Sequence, residues 1–237
     1  MKQDILDRLL KDREAKTAVA MATHLQSGNQ ALVYHDDAEG ALADNAEIVA
    51  AARQCMMDDK SRVVSTAKGD VFIHVFNPPL RMILVGAVHI AQPLSRIASV
   101  AGYDVSVVDP RDSFATPERF PGINLVHEWP DDGVKLLDPD RRTAIVTLTH
   151  DPKLDDPGLH IAIRSDAFYI GSLGSRKTHA SRVERLKEAG FNDAEIGRIH
   201  GPVGLPLGAV SPSEIAVSIL AEITAVLHGR EQQKAAA

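Results

Sequence analysis

Cysteine, aromatic residues and excess positive charge are all scarce in this sequence. Cys55 is the only cysteine among 237 residues, so no disulfide can form within the chain, which favours a reducing compartment. Aromatic residues make up 4% of the chain and the net charge is −6, which argues against a nucleic-acid partner. No apolar run approaches a membrane span, and the charged N-terminus lacks a signal-peptide core. The sequence therefore predicts a cytoplasmic protein with no membrane partner.

Motifs of hydrolytic catalysis are missing as well. No G-x-S-x-G elbow, Walker lysine or H-E-x-x-H helix occurs in the sequence. A single histidine with scattered aspartates between Thr149 and Asp156 is not a recognisable metal spacing, so metal binding stays undecided. Cys55 lies in a helical run and is interpreted as buried core filler rather than as a nucleophile.

Two consecutive prolines, Pro78 and Pro79, separate two different patterns, because they cannot continue a strand ladder. Residues 1–77 predict a small N-terminal α+β domain. Residues 80–230 show apolar strands alternating with helices, which predicts a Rossmann-like doubly wound parallel sheet with helices on both faces. Residues 231–237 are expected to form a disordered tail.

Hydrophobic periodicity places the individual elements. In the first part, helices are expected over 2–13 and 45–58, and strands over 18–23, 31–34, 62–65 and 71–76. In the second part, strands are expected over 81–85, 104–108, 123–126, 143–148 and 167–170, and helices over 89–101, 131–137, 157–164, 175–188, 192–198 and 211–228. Ser211 and Glu214 form a capping box for the last helix, which favours a structural role for Glu214 over a ligand role.

A glycine- and serine-rich turn between residues 171 and 176 is the strongest functional signal. It follows an apolar strand and opens directly into a helix, so its backbone N–H groups favour an anion, usually a phosphate. Arg176 adds a planar cationic donor. The predicted phosphate-binding set is Gly171, Ser172, Gly174, Ser175 and Arg176.

The remaining cations of the helix after this turn are interpreted differently. A run of charge on a helix is usually a solvated face, so Arg182 and Arg185 are expected at the surface. The loop from His200 to Leu205 contains two glycines with exposed amides, and Gly204 is its predicted ligand contact. This loop could close over a pocket or simply connect two elements.

The loop after the first strand of the second domain resembles a dinucleotide fingerprint only in part. Gly86 fits the G-x-G-x-x-G/A pattern, but Val88 stands where glycine lets backbone approach a pyrophosphate. NAD(P) is therefore disfavoured, although the fold is supported. His89 is either a capping residue or a ligand contact at this privileged position.

Two further loops contribute candidates at the same sheet edge. Asp109 occupies the place of the acidic residue that grips a ribose. Arg111 could hold a phosphate bidentately or pair with a neighbouring aspartate. His150 and Asp151 could orient a ligand or move a proton, while Asp151 could instead cap the next helix.

Several blocks between Arg81 and Gly229 resemble the XdhC/CoxI family of xanthine dehydrogenase accessory proteins. The matching blocks are VVDPR at 107–111, ERFP at 118–121, LTHDPKLDD at 148–156, YIGSLGSR at 169–176, HGPVGL at 200–205 and SPSEIAVSI at 211–219. The resemblance implies a chaperone without turnover that binds the molybdenum cofactor, as molybdopterin or its dinucleotide form. It would guard the cofactor during sulfuration and deliver it to a molybdenum hydroxylase such as xanthine dehydrogenase.

The resemblance also implies partners and roles for the candidate residues. The turn at 171–176, Arg111 and the His200 loop would clamp the phosphate, and His89 and His150 would contact the pterin or the metal end. A cysteine desulfurase is a further candidate partner. A homodimer is expected on a separate ground, because a small domain with few aromatic residues would need a partner surface.

Two departures from the family pattern make this a shortened, divergent member. Val88 replaces the second glycine of the family's Gly-x-Gly-His turn. Ala41-Leu42-Ala43-Asp44 stands in a short N-terminal region that lacks the family's Gly-Gly-Cys-Val-Glu segment. An NAD(P)-dependent oxidoreductase and a ligand-free interaction module on a Rossmann fold remain the alternatives.

Overall fold

The computed structural model describes residues 3–229, and the chain divides between Pro78 and Pro79 into two compact units. Each unit has its own sheet and its own apolar core. The tail predicted at residues 231–237 lies outside the described residues. Within residues 3–229, no helix is both long enough and apolar enough to cross a bilayer.

The N-terminal unit is an antiparallel sheet with two helices. Its strands have the order β3-β2-β1-β5-β4. Burial in the core beneath α2 raises the pKa of the Cys55 thiol, and the core-filler interpretation is confirmed for its packing. The elements are α1 (Gln3–Glu14), β1 (Val19–His24), β2 (Gln30–Val33), β3 (Ala38–Gly40), α2 (Ala46–Asp58), β4 (Arg62–Thr66) and β5 (Gly69–Phe76).

The C-terminal unit contains a six-stranded parallel sheet of order β11-β10-β9-β6-β7-β8. Every neighbouring pair in it is parallel, so the carboxyl ends of all strands meet at one edge. The elements are β6 (Arg81–Val85), α3 (Ala91–Val100), β7 (Asp104–Val108), β8 (Asn124–Val126), α4 (Pro130–Leu136), β9 (Thr143–Thr147), α5 (Pro152–Arg164), β10 (Tyr169–Ser172), α6 (Arg176–Glu188), α7 (Asp193–Ile196), β11 (Ile199–His200) and α8 (Pro212–Leu227).

Helices cover both faces of this sheet, as the alternating pattern predicts. Along β6, Leu84 packs in the cluster that holds α3 and α8, while Val85 packs in the opposite cluster with α4, α5 and α6. Successive strand residues point to opposite faces, so each strand serves both cores. The doubly wound Rossmann-like prediction is confirmed.

Several element boundaries differ from those predicted. Helix α3 begins at Ala91 rather than at 89, and β10 continues to Ser172 rather than ending at 170. Helix α5 begins at Pro152, five residues before its predicted start, because Asp151 caps it and proline is tolerated in the first turn. The short strands β3 and β11 give too little periodic signal to be predicted.

Candidate functional site

The candidate site lies at the carboxyl edge of the parallel sheet. Strand β6 has β7 on one side and β9 on the other, so the strand order reverses at β6. Ligands of open α/β sheets bind outside the carboxyl ends of the strands at such a switch point. The loops after β6, β7, β9 and β10 carry most of the predicted site residues.

Gly86 begins the loop after β6 and is needed for two reasons. Its φ of +107° lies in the left-handed region, and a Cβ there would overlap the methyl carbon of Thr149 in the loop after β9. The Gly86 N–H donates to the Val108 carbonyl at 2.8 Å, and the Ala87 N–H donates to Asp109 Oδ2 at 2.7 Å. These two amides therefore stabilise the loop rather than present themselves to a pyrophosphate.

His89 lies in the turn that precedes α3. Ile90 is the N-cap of that helix and the His89 side chain is exposed, so the capping interpretation of His89 is wrong. The imidazole stands on the loop at the switch point, where it is accessible to a ligand.

Asp109 is completely buried at the end of β7, and both of its carboxylate oxygens are engaged. Arg111 donates from Nε to Oδ1 at 2.8 Å and from Nη2 to Oδ2 at 2.7 Å, and its own N–H donates to Oδ1 at 3.0 Å. Burial alone would raise the pKa of Asp109, but the hydrogen bonds from Arg111 and Ala87 outweigh it and hold the pKa below its usual range. The predicted ribose-gripping role does not fit a carboxylate that already serves the chain in this way.

Of the two alternatives for Arg111, the structure shows the aspartate pair. The hydrogen bonds to Asp109 raise the pKa of this guanidinium, and the charge of Asp151 adds to that effect. Its Cζ atom also lies 4.1 Å from the ring centroid of Phe114, a cation–π contact.

The loop after β9 is held by Asp155, which sequence reasoning treated as one of several scattered aspartates. This buried carboxylate accepts the Thr149 N–H at 3.1 Å, the Thr149 hydroxyl at 2.7 Å and the His150 N–H at 3.1 Å. Burial raises the pKa of Asp155, and the Thr149 hydrogen bonds oppose that rise. The loop holds His150 at a φ of +62° with its side chain exposed. Asp151 caps α5 by accepting the Lys153 N–H at 3.0 Å, so the capping alternative is confirmed.

The predicted phosphate turn is shorter than expected. Gly171 and Ser172 belong to β10 and are buried, so their placement in an open turn is wrong. A Cβ at Gly171 would lie 2.6 Å from Val203 Cγ2, and the Ser172 hydroxyl lies 2.5 Å from that of Thr147. The extra strand residues result from pairing with β9, which a single sequence cannot show.

The actual turn runs from Leu173 to Ser175. Gly174 has a φ of +152°, and Ser175 is the N-cap of α6, where its hydroxyl accepts the Thr178 N–H at 3.1 Å. Arg176 follows as the first residue of α6 and its side chain is exposed. Arg176 therefore keeps the accessibility that a ligand contact requires.

The loop after β11 is anchored to α8 rather than left open. Glu222 Oε2 accepts the Gly204 N–H at 2.6 Å and the buried Tyr169 hydroxyl at 2.7 Å. A Cβ at Gly204 would lie 2.5 Å from Ser218 Oγ. The Gly204 amide is thus bound within the chain, and its prediction as an exposed ligand contact is wrong. The structural role of Glu214 is confirmed by its capping box with Ser211.

A cavity of about 250 Å³ lies beside this edge, between the start of α5 and the first turns of α6. Because it collects three cationic side chains and a histidine, it is suited to an anion. Within residues 3–229, no group of three or more His, Cys, Asp and Glu side chains is arranged to hold a metal ion. The cavity is lined by His150, Pro152, Asp155, Lys177, Thr178, Ser181, Arg182 and Arg185.

Arg182 is the most unusual lining residue, because its side chain is only 1% exposed. Its expected surface position is wrong. Nη2 donates to the Leu173 carbonyl at 2.8 Å, whereas Nε and Nη1 have no acceptor among the described residues. Burial lowers its pKa, opposed by the charge of Asp155. The signal that reveals it is helical spacing, because Arg182 lies four residues before the buried Leu186 on one face of α6.

Arg185 is partly exposed and forms a bidentate pair with Asp156 in α5. Its Nε lies 2.5 Å from Oδ2 and its Nη2 lies 3.0 Å from Oδ1. This pair joins the two helices that flank the cavity. The Asp156 hydrogen bond raises the pKa of Arg185. The bidentate pair holds the Arg185 guanidinium on the cavity wall.

The family model and the sequence relatives that this chain matches agree with each other. The sequence model of the XdhC Rossmann domain family matches residues 82–223. The chain is 31% identical over 157 residues to the molybdenum cofactor insertion chaperone PaoD of Escherichia coli, covering 66% of this chain and 43% of PaoD. It is 32% identical over 175 residues to a probable xanthine dehydrogenase subunit from Bacillus subtilis, covering 70% of this chain and 51% of that protein. The chain spans about half or less of these curated relatives.

A solved structure shares the fold. The crystal structure of a xanthine dehydrogenase from Bacillus halodurans matches with a TM-score of 0.74, over 97% of this chain and 68% of that chain. The two are 23% identical, so this likeness shows the fold alone.

Proposed function

The chain belongs to the XdhC Rossmann domain family, and from this premise we propose that it is a cytoplasmic maturation chaperone for a molybdenum enzyme. It binds the molybdenum cofactor, as molybdopterin or its dinucleotide, protects it during sulfuration and passes it to a xanthine dehydrogenase-type hydroxylase. PaoD, a relative by sequence, is named as a molybdenum cofactor insertion chaperone, which supports this assignment.

The observation that carries the proposal is the set of accessible side chains on neighbouring loops of one sheet edge. His89 follows β6, His150 follows β9 and Arg176 follows β10, and all three side chains are exposed. A guanidinium and two imidazoles fit a phosphorylated pterin, because the guanidinium pairs with an anionic oxygen of the ligand and the imidazoles can donate to ring or thiolate acceptors. When bound, the cofactor supplies the redox-active molybdenum that the client needs.

Other predicted site residues hold the loops of this edge in place through hydrogen bonds and packing. Asp109 fixes Arg111 and the first loop, and Asp155 fixes the loop that carries His150. Gly171, Ser172 and Gly204 pack the floor of the edge. A rigid frame with exposed side chains allows the chain to hold an anionic cargo and release it without a chemical step.

A nicotinamide-dependent oxidoreductase is less consistent with the same loops. The amides of Gly86 and Ala87 are bound within the chain, and Asp109 is paired with Arg111 instead of facing a ribose. Val88, half-buried, stands where the fingerprint requires glycine for a close pyrophosphate. An NADH titration provides a direct test of this alternative.

The central experiment measures cofactor capture and transfer under anaerobic conditions. Cofactor released from a molybdoenzyme is mixed with the chain, bound molybdenum is measured after gel filtration, and an apo hydroxylase is then added. We expect co-elution and recovery of hydroxylase activity, with R176M weakening capture at least about tenfold through the lost charge-assisted bonds. R198M is the matched control, because Arg198 does not belong to these loops. Its Nη2 atom donates to the Ala167 carbonyl at a distance of 2.8 Å.

Two results would reject the proposal. One is binding of NADH together with failure to capture the cofactor. The other is unchanged client maturation by R176M combined with H150A, which would favour a ligand-free interaction module.

The proposal also includes two partners. Sulfuration needs a sulfur donor, so a cysteine desulfurase should co-purify with the loaded chain and not with R176M. The chain should elute as a homodimer, which light scattering after gel filtration measures directly.

A further inference from the structure

The guanidinium of Arg182 has donors for which the described residues provide no acceptor. Nε and Nη1 are buried and unpaired, while Nη2 is held by the Leu173 carbonyl. A buried unpaired donor is costly, and such groups in native proteins usually have a partner of some kind. The position of Arg182 on a cavity wall indicates where that partner would lie.

The neighbouring carboxylates are engaged elsewhere. Asp156 is the bidentate partner of Arg185, and the oxygens of Asp155 accept hydrogen bonds from Thr149 and His150. Asp155 and Asp156 still act on Arg182 through their charge, but neither lies within ion-pair distance of it. The unmet requirement of Arg182 is therefore for an acceptor that enters the cavity.

The rest of the wall suits an anion with several oxygens. Lys177 adds a second cation, and Thr178 and Ser181 add hydroxyl groups on the same side of α6. The cavity lies at the start of this 13-residue helix, where the helix dipole also favours negative charge. Its volume of about 250 Å³ accommodates a phosphate group and excludes a whole nucleotide from the enclosed part.

We propose that this cavity binds the phosphate group of a small ligand, with Arg182 donating from Nε and Nη1 and Lys177 adding charge at the entrance. The proposal deepens the proposed function by assigning a binding place to the cofactor's phosphate. It rests on the proposed function only in taking the cofactor as the molecule that carries this phosphate. A phosphate monoester and free inorganic phosphate share the chemistry that Arg182 would recognise.

The test is calorimetric titration of the full chain with inorganic phosphate and, separately, with a nucleoside monophosphate at low ionic strength. We expect both to bind, and R182M to weaken binding at least about tenfold because two charge-assisted donors are lost. K177M, a surface change that leaves the fold intact, should weaken binding about threefold. R198M removes an arginine outside the cavity and should leave binding unchanged.

The outcomes separate this inference from the proposed function. Failure of both ligands to bind the unaltered chain, or equal weakening by R198M and K177M, overturns the phosphate site even if cofactor capture succeeds. Phosphate binding that depends on Arg182 and Lys177 supports the site even if cofactor capture fails. Binding of inorganic phosphate alone supports the site and assigns it to the free ion.

Discussion

A Cβ atom on Gly86 would overlap the methyl carbon of Thr149, so the loops after β6 and β9 touch at the point where the strand order reverses. In a dinucleotide-binding Rossmann domain, the glycine turn leaves room there for a pyrophosphate. In this chain the Thr149 side chain occupies the floor of the crevice. A ligand bound at this edge would therefore have to lie above this contact, where the side chains of His89 and His150 are exposed.

Replacing Gly86 with alanine should destabilise the C-terminal unit by about 3 kcal/mol, because the strained φ and the overlap add. Since Thr149→Ser removes the overlapping methyl group, the double variant G86A/T149S should recover about 1 kcal/mol. Urea unfolding followed by the fluorescence of Trp129, the only tryptophan, measures both. If the free-energy changes of G86A and T149S simply add in the double variant, the two loops are not energetically coupled.

The Asp109–Arg111 pair should make stability depend on pH. The folded pKa of Asp109 is depressed, so its contribution is present above about pH 4 and is lost as the pH falls through the folded value. R111M removes the partner, and burial then raises the pKa of Asp109. We expect R111M to lower the free energy of unfolding by about 2 kcal/mol at pH 7 and by distinctly less at pH 3.5.

Urea unfolding at several pH values measures this dependence. R96M is the control, because Arg96 is exposed on α3 and should change stability little at any pH. A deficit of R111M that stays constant from pH 3.5 to 7 would show that packing against Phe114, and not the ion pair, is what Arg111 contributes.

Asp155 should control the mobility of the loop that carries His150. D155N replaces an acceptor oxygen with a donor, so the hydrogen bonds from the Thr149 and His150 N–H groups cannot all persist. We expect these two amide protons to exchange at least about tenfold faster. Amide exchange measured by NMR tests this, and D156N should leave both rates unchanged because Asp156 pairs with Arg185 instead.

Two buried tyrosines of the C-terminal unit should respond differently to loss of the hydroxyl. The Tyr169 hydroxyl donates to Glu222, whereas that of Tyr103 has no hydrogen bond within the described part of the chain. Y169F should cost about 1–2 kcal/mol and loosen the loop at Gly204, while Y103F should cost less than about 0.5 kcal/mol. Equal losses in urea unfolding would contradict the anchoring role of Glu222.

Much of the fold follows from local sequence signals. Strand β9 is an unbroken run of buried residues, and the capping box of α8 is formed by residues only three positions apart. Such signals are complete within one window of sequence. The two-residue strand β11 exists through its pairing with β10, which no window contains.

The candidate site could be located from the sequence but not assembled from it. Parallel strands place their following loops at one edge, so the positions of Arg111 and His150 were predictable. The hydrogen-bond partners of two other residues, however, lie many positions away in the sequence. Gly204 is bound by Glu222 eighteen residues later, and Arg182 by the carbonyl of Leu173 nine residues earlier. Charge alone placed Arg182 at the surface, although the spacing to Leu186 indicates the buried face.

The parallel sheet ends in strands of only three residues at β8 and two residues at β11. Edge strands this short offer few free backbone groups for hydrogen bonding to an added strand from another protein. The short edges also protect the unit from edge-to-edge aggregation. A second protein would therefore have to contact this unit through its helices and loops rather than through added strands. Surface side chains of these helices and loops can then vary while the strand pairing stays the same.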